Sequence, residues 1–227
     1  MRDARPAYRI GVELSLEQVT ESIHHLPEIV GGPTILLGAT VTIVDTGVPG
    51  SETAILAAVE DLGRSREDVA DIVITHADGD HVGSLAALVE LTRATVWAGA
   101  HEADVIEGLT PGRGGDAKKS GSVDRRFEPG ETLPLNGGIE TVAAHGHTAG
   151  HVALFLPDDR VLIAGDALNN RDGLSGSSPQ YTADASQARE SVTALAALHP
   201  ESIVFGHGPS IVGGAAEQLD ELDRSLA

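Results

Sequence analysis

Short apolar runs, each bounded by glycine, proline or polar residues, recur along the chain and predict a protein rich in short β-strands. Gly38 and Ala39 separate two of these runs and predict a hairpin turn. The predicted strands span residues 7–14, 20–25, 33–37, 41–44, 71–75, 94–98, 123–127, 139–144, 151–156, 160–164 and 202–205.

Apolar residues at helical spacing predict helices between groups of strands. Ile55, Leu56 and Val59 mark the first helix, which we expect to run from a cap at Ser51 to residue 62. Further helices are predicted at residues 82–92, 101–107 and 184–198 and from residue 213 onward. Because strands occur in groups with helices between the groups, the pattern favours a two-sheet core with helices outside over a strictly alternating parallel sheet.

Polar loops interrupt this pattern at residues 109–122 and 169–181. The first loop is rich in glycine, has the composition of a mobile flap and contains Arg113, Lys118 and Lys119. These cations could attract an anionic substrate to an acidic protein, although a solvated surface loop is the simpler interpretation.

Charge and composition exclude several classes of partner. The chain of 227 residues has 15 Lys and Arg against 34 Asp and Glu, which gives a formal charge of −19. This acidic balance argues against a nucleic acid or an anionic membrane surface as a partner, because both require a basic face. Only 3% of residues are aromatic, so the core must be aliphatic and base-stacking surfaces are nearly excluded.

The absence of cysteine removes disulfides, thiolate metal ligands and cysteine nucleophiles together. The first ten residues, MRDARPAYRI, lack the apolar stretch of a signal peptide. No run approaches the roughly 18 apolar residues of a membrane helix. These features predict a soluble, cytoplasmic protein.

Histidine and aspartate stand beside glycine directly after four predicted strands. The segments are THADGDH at 75–81, HGHTAGH at 145–151, AGD at 164–166 and GHG at 206–208. Imidazole and carboxylate groups are the usual ligands of zinc and similar divalent ions. We expect Gly79 to let the first loop curl, and if the four strand ends point the same way the loops form one metal-binding pocket.

Each segment has a simpler explanation when it is taken alone. Asp80 could cap the helix that begins near residue 82, and a single histidine after a strand is more often structural than a ligand. The combination of four such loops favours one shared metal site. The remaining histidines are expected to be structural; they are His24, His25, His101 and His199.

The first segment strongly resembles the H-x-H-x-D-H signature of the metallo-β-lactamase superfamily, which continues with a His, an Asp and a final His. HTAGH, IAGDAL and FGHG match the later motifs of that family in order, and IVDTG at 43–47 resembles its upstream aspartate motif. The resemblance covers nearly the whole chain. It implies a single α+β domain over residues 1–227, a four-layer αββα sandwich of two mixed sheets with helices outside.

The resemblance also implies a centre of two divalent metal ions, most simply zinc, with manganese or iron acceptable. The ligands of one ion would be His76, Asp78 and His147. The ligands of the other would be Asp80, His81 and His207, with Asp166 bridging both ions. Asp45 and His151 would support these ligands from outside, and Asp45 could accept a hydrogen bond from a ligand imidazole.

Asp78 stands where the family usually has its second histidine. A third carboxylate makes such a centre one charge unit less positive, which should raise the pKa of bound water and weaken its activation. An additional oxygen ligand also makes manganese or iron more acceptable beside zinc. The sequence therefore predicts that Asp78→His keeps metal binding and lowers the pH optimum.

The implied activity is metal-dependent hydrolysis of a small-molecule ester, thioester, lactone or phosphoester by a hydroxide held between two ions, with Asp80 orienting the nucleophile. Lactonases of the family often place a tyrosine just after the bridging aspartate, whereas here Asn169 is nearby and Tyr181 lies farther on. Two alternatives stay open: a mononuclear iron sulfur dioxygenase of the same superfamily and a non-catalytic metal-binding protein. The sequence does not indicate an oligomeric state.

Overall fold

The computed structural model describes residues 15–113, 115 and 117–226. The strand predicted at residues 7–14 lies outside the described residues. Within the described part of the chain, every helix is too short or too polar to serve as a membrane-spanning segment.

The first sheet is mixed and has seven strands in chain order. Its strands are β1 Glu17–Gln18, β2 Ile23–His25, β3 Thr34–Leu37, β4 Val41–Val44, β5 Val69–Ile74, β6 Thr95–Gly99 and β7 Arg125–Phe127. The first four strands pair antiparallel, and β4 to β7 pair parallel. The predicted hairpin at Gly38 joins β3 to β4.

The second sheet is also mixed and has five strands, in the order β14-β11-β10-β9-β8. Its strands are β8 Thr132–Leu133, β9 Ile139–Ala143, β10 Val152–Leu156, β11 Val161–Ile163 and β14 Ser202–Val204. Only β11 and β14 pair parallel. A separate small hairpin, β12 Leu168–Asn169 and β13 Ser175–Gly176, occupies part of the segment that the sequence predicts as a polar loop.

Five α-helices cover the outer faces of the two sheets in the described residues. They are α1 Glu52–Asp61, α2 Leu85–Thr92, α3 Ala100–Ile106, α4 Ala185–Ala196 and α5 Ala215–Leu226. Two short 3-10 helices lie at Arg66–Asp68 and Pro179–Tyr181. Asp184 caps α4 by accepting hydrogen bonds from two backbone N–H groups, whereas Ser51 precedes α1 without the predicted side-chain cap.

Side chains point alternately to the two faces of each sheet and form three apolar layers. One layer lies between the sheets, and the other two lie between each sheet and its helices. In β5, Ile72 and Ile74 pack against α1 to α3, while Val73 points between the sheets. In β10, Leu154 points between the sheets and Phe155 packs against α4 and α5. Helix, sheet, sheet and helix therefore form four layers, as predicted.

The direction of the strands places the candidate chemistry at one edge. β4 and β5 run parallel in the first sheet, and β9, β11 and β14 share one direction in the second. The carboxyl ends of each set consequently lie at the same edge of their sheet. The residues that follow them are Asp45, His76, His147, Asp166 and His207.

Candidate metal centre

Asp45 orients two imidazoles in the loop that follows β5. Its Oδ2 accepts a 2.7 Å hydrogen bond from Nδ1 of His81, which is the type of contact expected for this residue. The same oxygen accepts from the Thr75 hydroxyl at 2.7 Å, and that hydroxyl lies 3.0 Å from Nδ1 of His76. Because Nδ1 of both rings is engaged in this network, Nε2 of both rings is left for another partner.

Burial and charge act differently on the buried imidazoles. Burial lowers the pKa of His76 well below its usual value. Burial also lowers the pKa of His81, but the carboxylates of Asp45 and Asp166 outweigh it and raise that pKa well above the usual value. His151 is neutral because burial lowers its pKa to about 3, and its Nε2 accepts a 3.0 Å hydrogen bond from the backbone N–H of Asp166.

Asp166 occupies the middle of the cluster. Its Oδ1 lies 3.2 Å from Nε2 of His81. Its Oδ2 lies 3.5 Å from Nε2 of His147 and 3.2 Å from Nε2 of His207. Burial raises the pKa of Asp166, but the adjacent imidazoles outweigh burial and hold that pKa well below its usual value. The two oxygens of one carboxylate thus face different groups of histidines.

Asp78 lies between two histidines and an arginine of the 109–122 loop. Its Oδ2 is 3.1 Å from Nε2 of His147 and 3.8 Å from Nε2 of His76. The Arg113 guanidinium donates to the same oxygen through Nε, at 3.1 Å, and through Nη2. Burial raises the pKa of Asp78, but His147 and Arg113 outweigh it and lower that pKa. The guanidinium therefore offsets the charge of the carboxylate that replaces the usual histidine.

Asp80 and His207 form the more open side of the cluster. Nε2 of His207 lies 3.4 Å from Oδ2 of Asp80, whose side chain is 30% exposed. Burial lowers the pKa of His207, but Asp166 and Asp80 outweigh it and raise that pKa. Asp80 does not cap α2, because the N-cap residue of that helix is Ser84.

The seven candidate ligands form overlapping groups whose ligand atoms lie within 4.8 Å of one another. The groups are His76, Asp78 and His147; His76, His81 and Asp166; and Asp80, His81 and His207. Nε2 of His76, Nε2 of His81 and Oδ1 of Asp166 are buried without a hydrogen-bond partner among the described residues. Buried polar atoms are rarely left unpaired, so this set of donors fits divalent cations.

Glu102 is a buried support of the cluster that sequence reasoning missed. Its Oε2 accepts a 2.8 Å hydrogen bond from the N–H of Ala77 in the first ligand loop. Its Oε1 accepts from the Thr148 hydroxyl at 2.7 Å and from the N–H of Gly150 at 2.9 Å in the second loop. One carboxylate on α3 thus ties two ligand loops together, and its place in a short helix gave no signal of this role.

Two other neighbours were not singled out as part of the site. The Ser177 hydroxyl lies 3.1 Å from Nδ1 of His147, so Nε2 of that ring also faces the cluster. Tyr181 lines a small cavity with Asp166 and His207, and the Arg113 guanidinium lies 5.3 Å from the centre of its ring. The 3-10 helix at Pro179–Tyr181 brings this distant residue back to the site.

The proposed need for glycine at position 79 is wrong. The backbone of Gly79 is not in the left-handed region, and a Cβ added there would meet nothing within 4 Å. The close approach occurs instead at Gly206, where an added Cβ would lie 2.2 Å from Oδ1 of Asp166. The spacing of ligands in the first loop therefore does not depend on that glycine.

The four histidines predicted to be structural lie outside every candidate ligand group of the described residues. His25 is buried, and its Nδ1 lies 2.8 Å from the Ser210 hydroxyl. Burial lowers the pKa of His24. His24 and His25 are therefore buried side chains that lie away from the candidate ligand groups.

Comparison with known proteins gives a consistent result. The family model described as metallo-beta-lactamase superfamily matches residues 33–207. A probable metallo-hydrolase of Bacillus subtilis (strain 168), YflN, is 28% identical over 219 residues, which cover 82% of each chain. A hydroxyacylglutathione hydrolase of Rhodobacter capsulatus is 30% identical over 178 residues, which cover 78% of this chain and 61% of that protein.

Solved structures share the fold. The crystal structure of a metallo-beta-lactamase family protein from Thermus thermophilus superposes with a TM-score of 0.72 at 22% identity. The match covers 92% of this chain and 80% of that chain. Because the family model spans most of the chain, including all seven candidate ligands, the protein belongs to the metallo-beta-lactamase superfamily.

Proposed function

We propose that this protein is a metal-dependent hydrolase that cleaves a small-molecule thioester or a related activated acyl ester. The observation that carries the proposal is the convergence of four imidazoles and three carboxylates on a cluster with three unpartnered buried atoms. The name of the Rhodobacter capsulatus relative, a hydroxyacylglutathione hydrolase, favours a thioester among the acyl compounds that such a site could take.

The cluster would hold two divalent ions. The ligands of one ion would be His76, Asp78 and His147, and the ligands of the other would be Asp80, His81 and His207. Asp166 would serve both ions, because its Oδ2 lies near His147 of the first group and near His207 of the second. Mixed imidazole and carboxylate ligands suit zinc, and three carboxylates make manganese or iron acceptable. Asp45 and His151 would act as supports by holding His81 and the backbone of Asp166.

A bound divalent ion would activate water and polarise the substrate carbonyl. Asp80 would orient the attacking water, because its side chain is the most exposed of the three carboxylates. The exposed fraction of the side chain is 30% for Asp80, 15% for Asp78 and 10% for Asp166. Burial raises the pKa of Asp80, but His207 and His81 outweigh it and lower that pKa, so the carboxylate accepts hydrogen bonds near neutral pH. Asp80 would therefore be the catalytic carboxylate.

A metal-depletion experiment tests this function. The purified protein would be treated with chelator, reloaded separately with zinc, manganese or ferrous ion, and assayed with a thioester, an ester, a lactone and a phosphodiester. We expect thioester hydrolysis to disappear with chelator and to return with metal. Metal-independent hydrolysis, metal binding without any hydrolysis, or oxygen consumption with a sulfur substrate would contradict the proposal.

Asp45→Asn is expected to weaken metal affinity by about 10–100-fold, the range typical of outer-sphere partners of ligand histidines. The carboxylate accepts from the Thr75 N–H at Oδ1 and from the Thr75 hydroxyl and His81 at Oδ2. An amide has one acceptor oxygen, so its NH2 must face one set of these donors, which disturbs the orientation of the imidazoles. Competition with a chromophoric chelator measures the change. Asp71→Asn is the matched control, since Asp71 accepts from the Trp97 indole away from the cluster; equal affinities for the two variants would contradict the role of Asp45.

Asp78→His is expected to preserve metal binding and to lower the pH of half-maximal activity by about one unit. The substitution removes one negative charge beside His147 and leaves the Arg113 guanidinium without its carboxylate partner. Both changes make the centre more positive, which favours deprotonation of the attacking water. The pH profile of kcat/KM at full metal occupancy measures this effect, and an unchanged profile would contradict the electrostatic argument.

A further inference from the structure

The chain has only two lysines, and they are adjacent, at Lys118 and Lys119. All other cationic side chains, apart from histidine, are arginines. In a protein with a formal charge of −19, this pair stands in the loop that also contributes Arg113 to the candidate metal centre. The distribution singles out one cationic segment beside the cluster.

The lysines line a cavity of about 420 Å³ that reaches the cluster at Asp78. We call this cavity the cationic cleft; it is lined on the charged side by Arg113, Lys118, Lys119 and Asp78, and elsewhere by small or apolar residues of the neighbouring loops. A molecule in the cleft would therefore contact the lysines while one end lies beside a candidate metal ligand.

The backbone beneath the lysines is held against two helices. The N–H of Ser120 donates to the carbonyl of Ile106 at the end of α3, at 2.8 Å. A Cβ at Gly108 would lie 2.8 Å from the backbone nitrogen of Lys119, and a Cβ at Gly121 would lie 2.7 Å from Leu85 of α2. These close approaches fix the backbone positions from which the lysine side chains extend.

Within the described part of the chain, the lysines are the cations of the cleft that have no ion-pair partner. Arg113 is already paired with Asp78, the carboxylate that lines the cleft. Among the described residues, no carboxylate oxygen lies within 4.0 Å of either lysine ammonium. Glu107 feels the charge of Lys119, but its ion pair is with Arg126. Two ammonium groups beside a neutralised Asp78–Arg113 pair make a local anion site on an otherwise acidic protein.

We propose that the cationic cleft binds an oxyanion of the substrate, a carboxylate or a phosphate, while the scissile acyl group lies at the metal cluster. This inference rests on the proposed hydrolase function and adds the substrate class to it: acidic thioesters or esters. Because the net charge of the protein repels anions at longer range, selection for such substrates must come from contacts inside the cleft.

A kinetic comparison tests the substrate class. The probes are S-acetyl-3-mercaptopropanoate and its carboxamide, which have nearly the same shape and differ by one negative charge. We expect the wild-type protein to prefer the carboxylate by about tenfold in kcat/KM, equivalent to roughly 1.4 kcal/mol. The double variant Lys118→Gln/Lys119→Gln should reduce this preference to about twofold or less, and Lys118→Arg/Lys119→Arg should retain it.

Equal kcat/KM values for both probes in the wild-type protein, or a preference that persists in the glutamine variant, would overturn the inference. Hydrolysis of neither probe would count against the proposed function instead. A second measurement, which needs no activity, then decides the binding claim. An amine-directed reagent can label only these two lysines, because the chain has no other lysine.

The second measurement follows acetylation of Lys118 and Lys119 by peptide mass spectrometry. Inorganic phosphate and glutarate are the anionic probes, and glutaramide at equal ionic strength is the neutral control. We expect at least one anion to slow acetylation about threefold or more relative to the control. Protection by phosphate alone or by glutarate alone identifies the preferred oxyanion, and no protection by either would overturn the proposal.

Discussion

Replacement of Asp166 by asparagine is expected to lower the affinity of the protein for both proposed metal ions by more than about 100-fold, beyond the range typical of outer-sphere partners. Oδ1 of Asp166 lies beside His81, and Oδ2 lies beside His147 and His207. An amide oxygen carries no net charge, so it attracts the ions on both sides much less than the carboxylate does. Thioester hydrolysis should fall in parallel.

Competition with a chromophoric chelator measures the two affinities of the Asp166→Asn variant. Asp61→Asn, at the exposed end of α1, is the matched control and should bind metal like the wild-type protein. Thermal unfolding of the metal-free proteins separates lost ligation from lost folding. Two ions bound with unchanged affinity by folded Asp166→Asn would contradict the central position of this carboxylate.

Gly206→Ala should have the second largest effect, although it adds only one methyl group. An added Cβ would lie 2.2 Å from Oδ1 of Asp166 and 2.7 Å from Cε1 of His81, so either the carboxylate or the imidazole must move. We expect a loss of roughly 1–3 kcal/mol in the free energy of unfolding, as is usual for overpacking, and at least a tenfold loss of metal affinity.

Gly79→Ala is the matched control for this prediction. It makes the same change inside the first ligand loop, where an added Cβ meets nothing within 4 Å. We expect its free energy of unfolding to stay within about 0.5 kcal/mol of the wild-type value. Denaturant unfolding and chelator competition should separate the two variants clearly, and equal losses in both would show that steric contact at Gly206 is not the cause.

The layered fold was predictable because the longer strands carry a strong local pattern. Residues 139–144 and 151–156 have the pattern of strands, and the structure forms β9 and β10 there. The two-residue strands β1 and β12 were missed, since two residues carry no period. The sequence predicts that α2 starts at residue 82, because Val82 is apolar. In the structure Val82 is buried but precedes the N-cap Ser84, so the helix starts three residues later.

Candidate ligands were easier to predict than the residues that support them. His76 and Asp166 closely follow apolar strands, so local sequence places them at strand ends. Glu102 reaches partners 25 and 46 residues away, and Arg113 contacts Asp78 across 35 residues. Such contacts depend on how loops from different strands pack, which no local pattern encodes.

Anomalous scattering from crystals of the protein grown with zinc shows whether the seven candidate ligands hold two metal ions. We expect two zinc peaks, one within reach of His76, Asp78 and His147 and one within reach of Asp80, His81 and His207, with Asp166 between them. Zinc peaks only elsewhere in the protein, or no peak at this cluster at saturating zinc, would contradict a two-ion centre.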